Sequence, residues 1–184
     1  AWLWIKYRYF RPRAYAVRAG GVTSESVVSV IIPAYREKGK LGRTLRHLFA
    51  SAAKKIEIIV VDAGGKDGTM DECEGLNVKI AESTRGRGPA VAAGARIATG
   101  DVLLVVHADT LVPQGYDEFV RTALAREDTL ATAFRFKVDR ATLTKPELPF
   151  LVMESTVHIR ATTLQLPFGD QALGITKQNF VALG

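Results

Sequence analysis

The sequence predicts an α/β protein built on a mostly parallel, open β-sheet with helices on both faces. Two observations support this prediction. Short β-branched runs alternate along the chain with segments of helical periodicity, and the runs end in polar or glycine-rich residues. Such alternation is typical of parallel sheets, because each crossover places a helix on a face of the sheet. The 184 residues suffice for about one domain with a single core.

Five strands are predicted from runs of β-branched and apolar residues that are bounded by turn residues. They cover residues 27–33, 56–61, 78–80, 102–106 and 130–138. The run at 102–106 gives the clearest strand pattern, whereas the run at 78–80 is short.

The helices are predicted from spacing and from their end signals. Leu41, Leu45 and Leu48 recur at i, i+4 and i+7, which places them on one helix face. Thr69, with Glu72 three residues later, predicts a capping box for a short helix. Proline in the first turn predicts helices over 89–99 and 113–126, and residues 148–166 also read as helical.

The positive charge of the chain is concentrated in an N-terminal arm, residues 1–24. The chain has 25 basic and 19 acidic side chains and a net charge of +6. Five of the basic residues and none of the acidic ones lie in this arm, so the domain formed by residues 25–184 is nearly neutral. A nucleic-acid-binding domain spreads basic residues over its folded face. We therefore expect no binding to nucleic acid.

The arm is rich in aromatic and basic residues, and three interpretations fit it. It is a poorly ordered leader, a targeting remnant, or a segment for peripheral membrane contact through residues 1–18. The single cysteine, Cys73, excludes an intramolecular disulfide and suits a reducing compartment. No apolar run approaches the roughly 18 residues of a membrane span. We therefore expect a location in the cytoplasm or an organellar stroma or matrix, with membrane-surface association as the alternative.

Polar and glycine residues follow four of the predicted strands at the point where each strand ends. They read PAYRE at 33–37, DAGGKDGT at 62–69, ESTRGRG at 82–88 and HADT at 107–110. Ligands of open parallel sheets bind at the carboxyl ends of the strands. This clustering is therefore the main functional signal in the sequence.

These residues favour a nucleotide-diphosphate site, since the dinucleotide GxGxxG and the P-loop spacing are both absent. Asp62 can accept a hydrogen bond from a base edge, and Arg85 and Arg87 can meet phosphate charge. Asp109 can hold a hard divalent cation whose shell is completed by water and diphosphate. Structural alternatives stay open: the two aspartates can stabilise turns, the arginines can be solvated, and His107 can be a packed strand-end residue.

The order of the motifs resembles the inverting family 2 glycosyltransferases of the GT-A fold. The resemblance is carried by VSVIIPAYREKGKLGRTL, IEIIVVDAGGKDGT, RGRGPAVAAGARIATGDVLLVVHADTLVP and PFGDQA, and it covers residues 27–184. HADT and GDQ are especially similar to the branch described as radical-SAM/selenodomain-associated transferases. The resemblance implies a nucleotide-diphospho-sugar transferase-like fold.

The resemblance also implies roles for the matching residues. The donor substrate would be a nucleotide-diphosphate sugar, and the acceptor and the oligomeric state are left open. Asp109, with His107 beside it, would hold Mg²⁺ or Mn²⁺, and Asp170 would lie near the sugar and acceptor as the candidate catalytic residue. The residues that would contact the nucleotide are Pro33, Tyr35, Glu37, Asp62, Gly86 and Arg87.

Two of the departures from the family pattern bear most on function; the other two are Ala63, in place of a frequent second acid, and Ala92, where an asparagine is often found. His107 stands where the common metal-binding motif has its first aspartate. The family's later acidic pair, the usual source of the catalytic base, would lie beyond Gly184, so we expect a C-terminally truncated domain. The leading hypothesis is a metal-dependent, inverting glycosyltransferase. The alternatives are a non-catalytic sugar-nucleotide-binding module or pseudoenzyme and, less favoured, a nucleotidyltransferase, which would carry a glycine-rich turn where PAYRE stands.

Overall fold

The computed structural model describes residues 5–8, 21–139, 148–164, 167 and 169–183. The strands are β1 (Ile5–Arg8), β2 (Val28–Ala34), β3 (Ile56–Asp62), β4 (Lys79–Glu82), β5 (Val102–Val105), β6 (Thr129–Ala133) and β7 (Leu173–Thr176). The helices are α1 (Leu41–Ser51), α2 (Arg87–Ile97), α3 (Tyr116–Leu124), α4 (Leu148–Thr163) and α5 (Lys177–Leu183). Among the described residues, no helix has both the length and the apolar character that a bilayer crossing requires.

The sheet combines a parallel half with an antiparallel half. Its strand order is β1-β6-β7-β5-β2-β3-β4. Strands β5, β2, β3 and β4 pair in parallel, whereas β7, β6 and β1 are joined by antiparallel pairing. The α/β fold class predicted from the sequence is thereby confirmed. Strand β1 lies within the predicted N-terminal arm, and its Ile5 aligns with Ala133 of β6, so these arm residues belong to the sheet.

Helices cover both faces of the parallel half, as predicted. Leu45 of α1 and Leu124 of α3 are fully buried on one face. On the other face, Ala90 of α2 packs in a cluster with Ile31 of β2. A Cβ at Gly94 of α2 would lie 2.5 Å from Ile31 Cγ2. Helix α2 therefore approaches the sheet more closely than any residue but glycine allows.

A buried ion pair closes the amino-terminal edge of the parallel strands. Asp117 of α3 pairs with Arg121 at 2.6 Å, and both side chains are almost completely buried. The Asp117 carboxylate also accepts hydrogen bonds from the backbone N–H groups of Ala53 (2.7 Å) and Lys54 (3.0 Å). Arg121 Nε donates to the Ser26 carbonyl oxygen at 2.7 Å. The pair thus ties α3 to the segments that precede β2 and β3.

A second polar network at this edge is centred on Glu57 of β3. Its carboxylate accepts hydrogen bonds from the side chains of Ser29, Lys79 and Thr99 and from the Thr99 backbone N–H. Burial raises the pKa of Glu57, but these hydrogen bonds outweigh burial and bring the pKa down to about 2. The network joins β2, β3, β4 and the turn before β5. The two polar networks therefore lie at the edge opposite the predicted ligand site.

The predicted capping box at Thr69 and Glu72 is wrong. The short 3₁₀ turn Met70–Cys73 receives no side-chain hydrogen bond from Thr69. Instead, the Thr69 hydroxyl accepts a hydrogen bond from the Glu37 backbone N–H at 2.9 Å. The Glu72 carboxylate accepts from the backbone N–H groups of Gly39 and Gly42. Both side chains support the loop between β2 and α1, because tertiary contacts satisfy them better than their own turn does.

Among the predicted boundaries that differ from the structure, two lie beside the predicted ligand site. Helix α3 begins at Tyr116 and not near Pro113, because Gly115 adopts a left-handed φ of 70° and the Tyr116 N–H bonds back to the Pro113 carbonyl at 3.2 Å. Strand β6 ends at Ala133 and not at residue 138, since the Phe134 N–H turns to the Gln171 carbonyl at 2.7 Å. Both changes shape the region beside the carboxyl ends of the strands.

Candidate functional site

The predicted strand-end residues converge at the carboxyl edge of the parallel half. The loops after adjacent strands are joined there, for example by a hydrogen bond of 3.0 Å from the Ala63 N–H to the Ala34 carbonyl. They enclose a cavity of about 330 Å³, which we call the strand-end cavity. Its lining includes every predicted site residue except Asp62 and Asp170. The lining residues are Pro33, Ala34, Tyr35, Glu37, Ala63, Arg85, Gly86, Arg87, His107, Ala108 and Asp109.

Asp62 ends β3 but does not line the strand-end cavity. Its Oδ1 accepts hydrogen bonds from the backbone N–H groups of Gly64 (2.8 Å) and Gly65 (3.3 Å). This is the turn-stabilising arrangement typical of aspartate. Only Oδ2 of Asp62 is therefore left for a ligand.

Two arginines lie against the ring of Tyr35. The Arg85 guanidinium carbon is 4.7 Å from the ring centroid, and that of Arg36 is 5.4 Å away. Arg36 adopts a left-handed φ of 58°, and its backbone nitrogen lies so close to Gly65 that a Cβ there would be only 2.8 Å away. Cation–π contacts orient an arginine without neutralising it. Positive charge is thus held at the cavity rim, where the loops after β2 and β4 meet.

Lys40 connects two of the predicted carboxylates. Its Nζ is 3.0 Å from Glu37 Oε2 and 4.0 Å from Asp109 Oδ2. The hydrogen bond and the charge of Glu37 raise the pKa of Lys40. The Asp109 side chain is 55% exposed, so its carboxylate remains accessible from the cavity.

His107 lies between charges of both signs. Burial lowers the pKa of His107, and the Arg87 guanidinium lowers it further, while the neighbouring carboxylates oppose this. The lowered pKa favours a neutral imidazole, which has a free nitrogen lone pair. A Cβ at Gly169 would lie 3.7 Å from His107 Nε2 and 3.8 Å from Arg87 Nη1. The turn that carries Asp170 therefore closes on this pair of side chains.

A second cavity of about 830 Å³, the side cavity, lies next to the strand-end cavity. The two cavities share Arg87, His107 and Asp109 as a common boundary. The other charged residues of the side cavity are Arg43, Arg135, Lys137, Asp139 and Asp170. Its apolar lining consists of Leu111, Val112, Pro113, Phe134, Phe136, Val138 and Ala172. Asp170, which the sequence predicted as catalytic, is thus placed beside the predicted metal and phosphate residues but in the neighbouring cavity.

One wall of the side cavity is residues 134–139, the wall segment. Phe134 and Gln171 exchange two hydrogen bonds, from the Phe134 N–H to the Gln171 carbonyl (2.7 Å) and from Gln171 Nε2 to the Phe134 carbonyl (3.0 Å). The Val138 N–H donates to Glu154 Oε1 of α4 at 2.8 Å. Asp139 pairs with Arg43 of α1 at 3.4 Å. The wall segment is therefore fixed to the Asp170 turn and to two helices.

The sequence profile of glycosyl transferase family 2 matches residues 29–179. The chain belongs to this family. The dolichol-phosphate mannosyltransferase of Saccharomyces cerevisiae is 38% identical over a region that covers 46% of this chain and 36% of the yeast protein.

Solved structures share the fold of this family 2 chain. A mannosyltransferase from Pyrobaculum calidifontis, in complex with GDP-Man and Mn²⁺, aligns with a TM-score of 0.63 at 18% identity over 94% of this chain and 50% of that protein. Glucosyl-3-phosphoglycerate synthase from Mycobacterium tuberculosis, in complex with Mn²⁺, UDP and glucosyl-3-phosphoglycerate, aligns with a TM-score of 0.62 at 14% identity over 95% and 65%. The predicted GT-A fold is confirmed. The chain spans less than two thirds of the length of each of these relatives.

The metal-binding potential of this family 2 chain rests on a small donor set. Among the described residues, no group of three or more His, Cys, Asp or Glu side chains is arranged to hold a metal ion. His107 and Asp109 line both cavities and provide two donors. Mg²⁺-type sites on phosphate substrates use one or two carboxylates and complete their shell with water and phosphate oxygens. The donor set is compatible with an ion that binds together with a diphosphate.

Several basic residues of the site were not predicted from the sequence, among them Lys40, Arg135 and Lys137. Lys40 gave no signal, because its contact with Asp109 arises only when β2 and β5 become neighbours in the sheet. Arg135 and Lys137, in contrast, did give a signal in the sequence. They alternate at i and i+2 within a predicted strand, the spacing that places side chains on one face.

Proposed function

We propose that this chain is a metal-dependent glycosyltransferase that moves a sugar from a nucleotide-diphosphate sugar to an acceptor hydroxyl with inversion. The observation that carries the proposal is the common boundary of the two cavities at Arg87, His107 and Asp109. The strand-end cavity would hold the nucleotide diphosphate, and the side cavity would hold the acceptor. The sugar would then lie at the boundary, between its leaving group and its attacking group.

The base and ribose would bind at the loops after β2 and β3. Pro33, Tyr35 and Glu37 would line them, and Asp62 Oδ2 would accept a hydrogen bond from a base edge. The stacked Arg85 supports this placement, because it brings a cation to the aromatic wall of the cavity.

The diphosphate would bind at the start of α2. Gly86, with a φ of 133°, adopts a backbone conformation that favours glycine and lets the chain turn sharply into the helix. The N–H groups of the first helical turn attract anions, and Arg87 adds a full positive charge at the same place. Two independent sources of positive potential thus support a diphosphate site.

Asp109 and His107 would hold Mg²⁺ or Mn²⁺, which when bound would stabilise the negative charge on the departing diphosphate as a Lewis acid. The exposed Asp109 carboxylate supports this role, because a diphosphate can reach it from the strand-end cavity. The neutral form of His107, which its lowered pKa favours, would leave a ring nitrogen free to act as a ligand.

Asp170 would serve as the general base. Its carboxylate would take the proton of the acceptor hydroxyl while the hydroxyl oxygen forms a bond to the anomeric carbon. The bond from that carbon to the diphosphate oxygen would break, and its electron pair would leave with the diphosphate. Attack opposite to the leaving group inverts the anomeric configuration. The placement of Asp170 in the side cavity, next to the boundary residues, supports this role.

The proposal extends to the donor nucleotide, the branch of the family, the location of the protein and its contact with a membrane. The complexes of the two structural relatives, with GDP-Man and with UDP, support a guanosine or uridine donor. The HADT and GDQ sequences support the radical-SAM/selenodomain-associated branch. The single cysteine supports a reducing location, in the cytoplasm or an organellar stroma or matrix. The aromatic and basic composition of residues 1–18 supports peripheral membrane contact.

The alternative is a sugar-nucleotide-binding module without turnover. The absence of a three-donor metal group among the described residues favours it, as does the histidine in place of the motif's first aspartate. Both hypotheses require nucleotide binding, and only the enzyme hypothesis requires release of free nucleotide diphosphate from the donor.

Nucleotide binding is tested by thermal stabilisation of the full chain with UDP, GDP or ADP, each with Mn²⁺ or with a chelator. A ligand at about 100 times its Kd adds roughly 2.7 kcal/mol of stability, so we expect a clear rise in Tm with one nucleotide and its loss with chelator. Asp109→Asn should remove the metal-dependent part of the rise. Asp101→Asn is the matched control, because Asp101 precedes β5 at the opposite edge of the sheet. No rise with any nucleotide would refute the proposal.

Catalysis is tested by Asp170→Asn in the full-length protein. A general base contributes about 10²- to 10⁴-fold to the rate, so we expect kcat to fall by that factor while the nucleotide-dependent rise in Tm is retained. Asp128→Asn, at an exposed position after α3, is the control and should leave kcat unchanged. An unaltered kcat in Asp170→Asn would exclude Asp170 as the base.

A further inference from the structure

The side cavity carries a positive charge that the proposed transfer reaction does not use. Arg87 faces both cavities, but Arg135 and Lys137 line the side cavity alone. Arg43, at the rim, is already paired with Asp139 at 3.4 Å. Arg135 and Lys137 are therefore the cations that remain for a ligand on this side.

Arg135 is the less solvated of the two residues, since its side chain is half-buried and that of Lys137 is exposed. Arg135 Nε is shielded from solvent and has no hydrogen-bond partner among the described residues. An unpaired buried N–H group destabilises the folded chain, and more so when the group is charged. Arg135 thus has an unmet hydrogen-bonding capacity at Nε and lines the side cavity.

The surroundings of Arg135 are pre-organised. Phe134 and Gln171 are joined by two hydrogen bonds. Arg135 follows Phe134 and Asp170 precedes Gln171 in the chain, so these bonds hold the backbone of Arg135 next to the turn of Asp170. The Val138 N–H is held by Glu154 on the other side. A group bound by Arg135 would therefore be held at a fixed position relative to the proposed base.

We propose that the side cavity selects an acceptor that carries a phosphate monoester, which Arg135 and Lys137 bind while the acceptor hydroxyl faces Asp170. This inference rests on the proposed function. Arginine forms two parallel hydrogen bonds to phosphate oxygens, whereas lysine contributes a point charge. A phosphate offers enough oxygens for both cations. The carboxylates of Asp139 and Asp170 do not cancel this charge, because Asp139 is paired with Arg43 and Asp170 would bind the hydroxyl.

The apolar lining of the side cavity leaves two sources of phosphate acceptor, a small polar phosphate and a phosphate on an apolar chain. Glycerol 3-phosphate and butyl phosphate represent these sources, and glycerol is the uncharged control. Calorimetric titration of the full chain with each probe compares them. We expect both phosphates to bind at least about tenfold more tightly than glycerol, and their order identifies the source.

Variants locate the phosphate. Arg135→Gln should weaken the binding of glycerol 3-phosphate at least about tenfold. Arg135→Lys, which keeps the charge but loses the paired hydrogen bonds, should weaken that binding less. Lys137→Gln should also weaken it. Arg87→Gln should weaken binding of glycerol 3-phosphate less than Arg135→Gln does, because Arg87 faces both cavities, whereas a phosphate on the nucleotide side would depend mainly on Arg87. Arg126→Gln, at an exposed position away from both cavities, is the control.

The outcomes separate this inference from the proposed function. Equal affinity of wild type and Arg135→Gln overturns the inference, as does dependence on Arg87 alone or the absence of phosphate binding. The thermal test with nucleotides addresses the proposed function independently, because phosphate affinity is measured without nucleotide. If Arg135→Gln fails to fold, the Arg135→Lys and Lys137→Gln variants carry the test, and unchanged affinity in both overturns the inference.

Discussion

The Lys40 ammonium lies 4.0 Å from Asp109 Oδ2 and 3.0 Å from Glu37 Oε2. A metal ion that binds to Asp109 therefore enters a site where a positive charge is already present. At such a separation, two charges interact by about 1 kcal/mol in water, and the Lys40 and Asp109 side chains are each 55% exposed. The Lys40 charge thus lowers the affinity of the proposed site for a cation.

We predict that Lys40→Met strengthens Mn²⁺ binding in the presence of the bound nucleotide by about two- to fivefold at low salt, the size expected for an exposed pair of charges. The measurement is a titration of Mn²⁺ by electron paramagnetic resonance. High salt should remove the difference, because it screens exposed charges. Lys55→Met, at an exposed position before β3, is the control. Weaker Mn²⁺ binding in Lys40→Met would show that Lys40 supports the site by another route.

The contact between Arg85 and Tyr35 predicts coupling of the two residues in nucleotide binding. Tyr35→Ala should weaken the binding of a nucleotide diphosphate. Tyr35→Phe keeps the ring and should bind the nucleotide diphosphate nearly as well as the wild type does. A double-mutant cycle with Arg85→Ala should give a coupling energy of about 0.5–1 kcal/mol, the strength of an exposed cation–π contact. Strictly additive losses would mean that the Arg85 stacking at 4.7 Å does not contribute to binding.

Two glycines of α2 predict opposite effects on stability. A Cβ at Gly94 would lie 2.5 Å from Ile31 Cγ2, whereas a Cβ at Gly88 would meet nothing within 4 Å. Gly94→Ala should lower the free energy of unfolding by about 1–3 kcal/mol through overpacking. Gly88→Ala should raise it by up to about 1 kcal/mol, since alanine favours the helix. Chemical denaturation measures both, and equal stability of the two variants would refute the close approach of α2 to the sheet.

The Glu57 network predicts a pH-dependent contribution to stability. The pKa of Glu57 is lowered from the ordinary value of 4.5 to about 2, so the folded state gains from ionisation of this carboxyl group. This contribution, on the order of 3 kcal/mol, is fully present above pH 4.5 and is lost as the pH falls towards 2. Glu57→Gln should therefore be less stable than wild type at pH 7 and equal to it near pH 2. Glu82→Gln, at an exposed site, should show no such change.

Strands β2, β3 and β5 could be predicted because they are largely buried on both faces, whereas the edge strand β4 is mostly exposed and gave only a short pattern. The β-branched runs of the three buried strands, such as Ile58 to Val61, have no surface side that needs polar residues. The strand-end residues followed from the same logic, since the sheet topology decides which loops meet. The cavity therefore gathers Tyr35, Arg87 and Asp109, although they are far apart in the sequence.

Strand β7 could not be predicted, because it is formed by pairing with β5 and β6 and its own residues carry no clear strand pattern. It is four residues long and contains Gly174. A Cβ there would lie 2.8 Å from Thr132 Cγ2 of β6 and 3.0 Å from Val120 Cγ1 of α3, so a glycine is required by packing against β6 and α3 and not by a turn. The contact of Thr69 with Glu37 is a further example, since only the folded chain brings the two residues together.

The two halves of the sheet differ in how freely their loops can vary. The loops after β2, β3 and β5 are packed against one another, and a substitution in one of them disturbs the others. The wall segment instead follows strand β6 of the antiparallel half. It is held by the backbone of Phe134 and Val138 and by the ion pair of Asp139 with Arg43, contacts that do not involve the side chains of Arg135 or Lys137. If Arg135 and Lys137 bind the acceptor as proposed, their replacement would change which acceptor is used and would leave the donor side of the site intact.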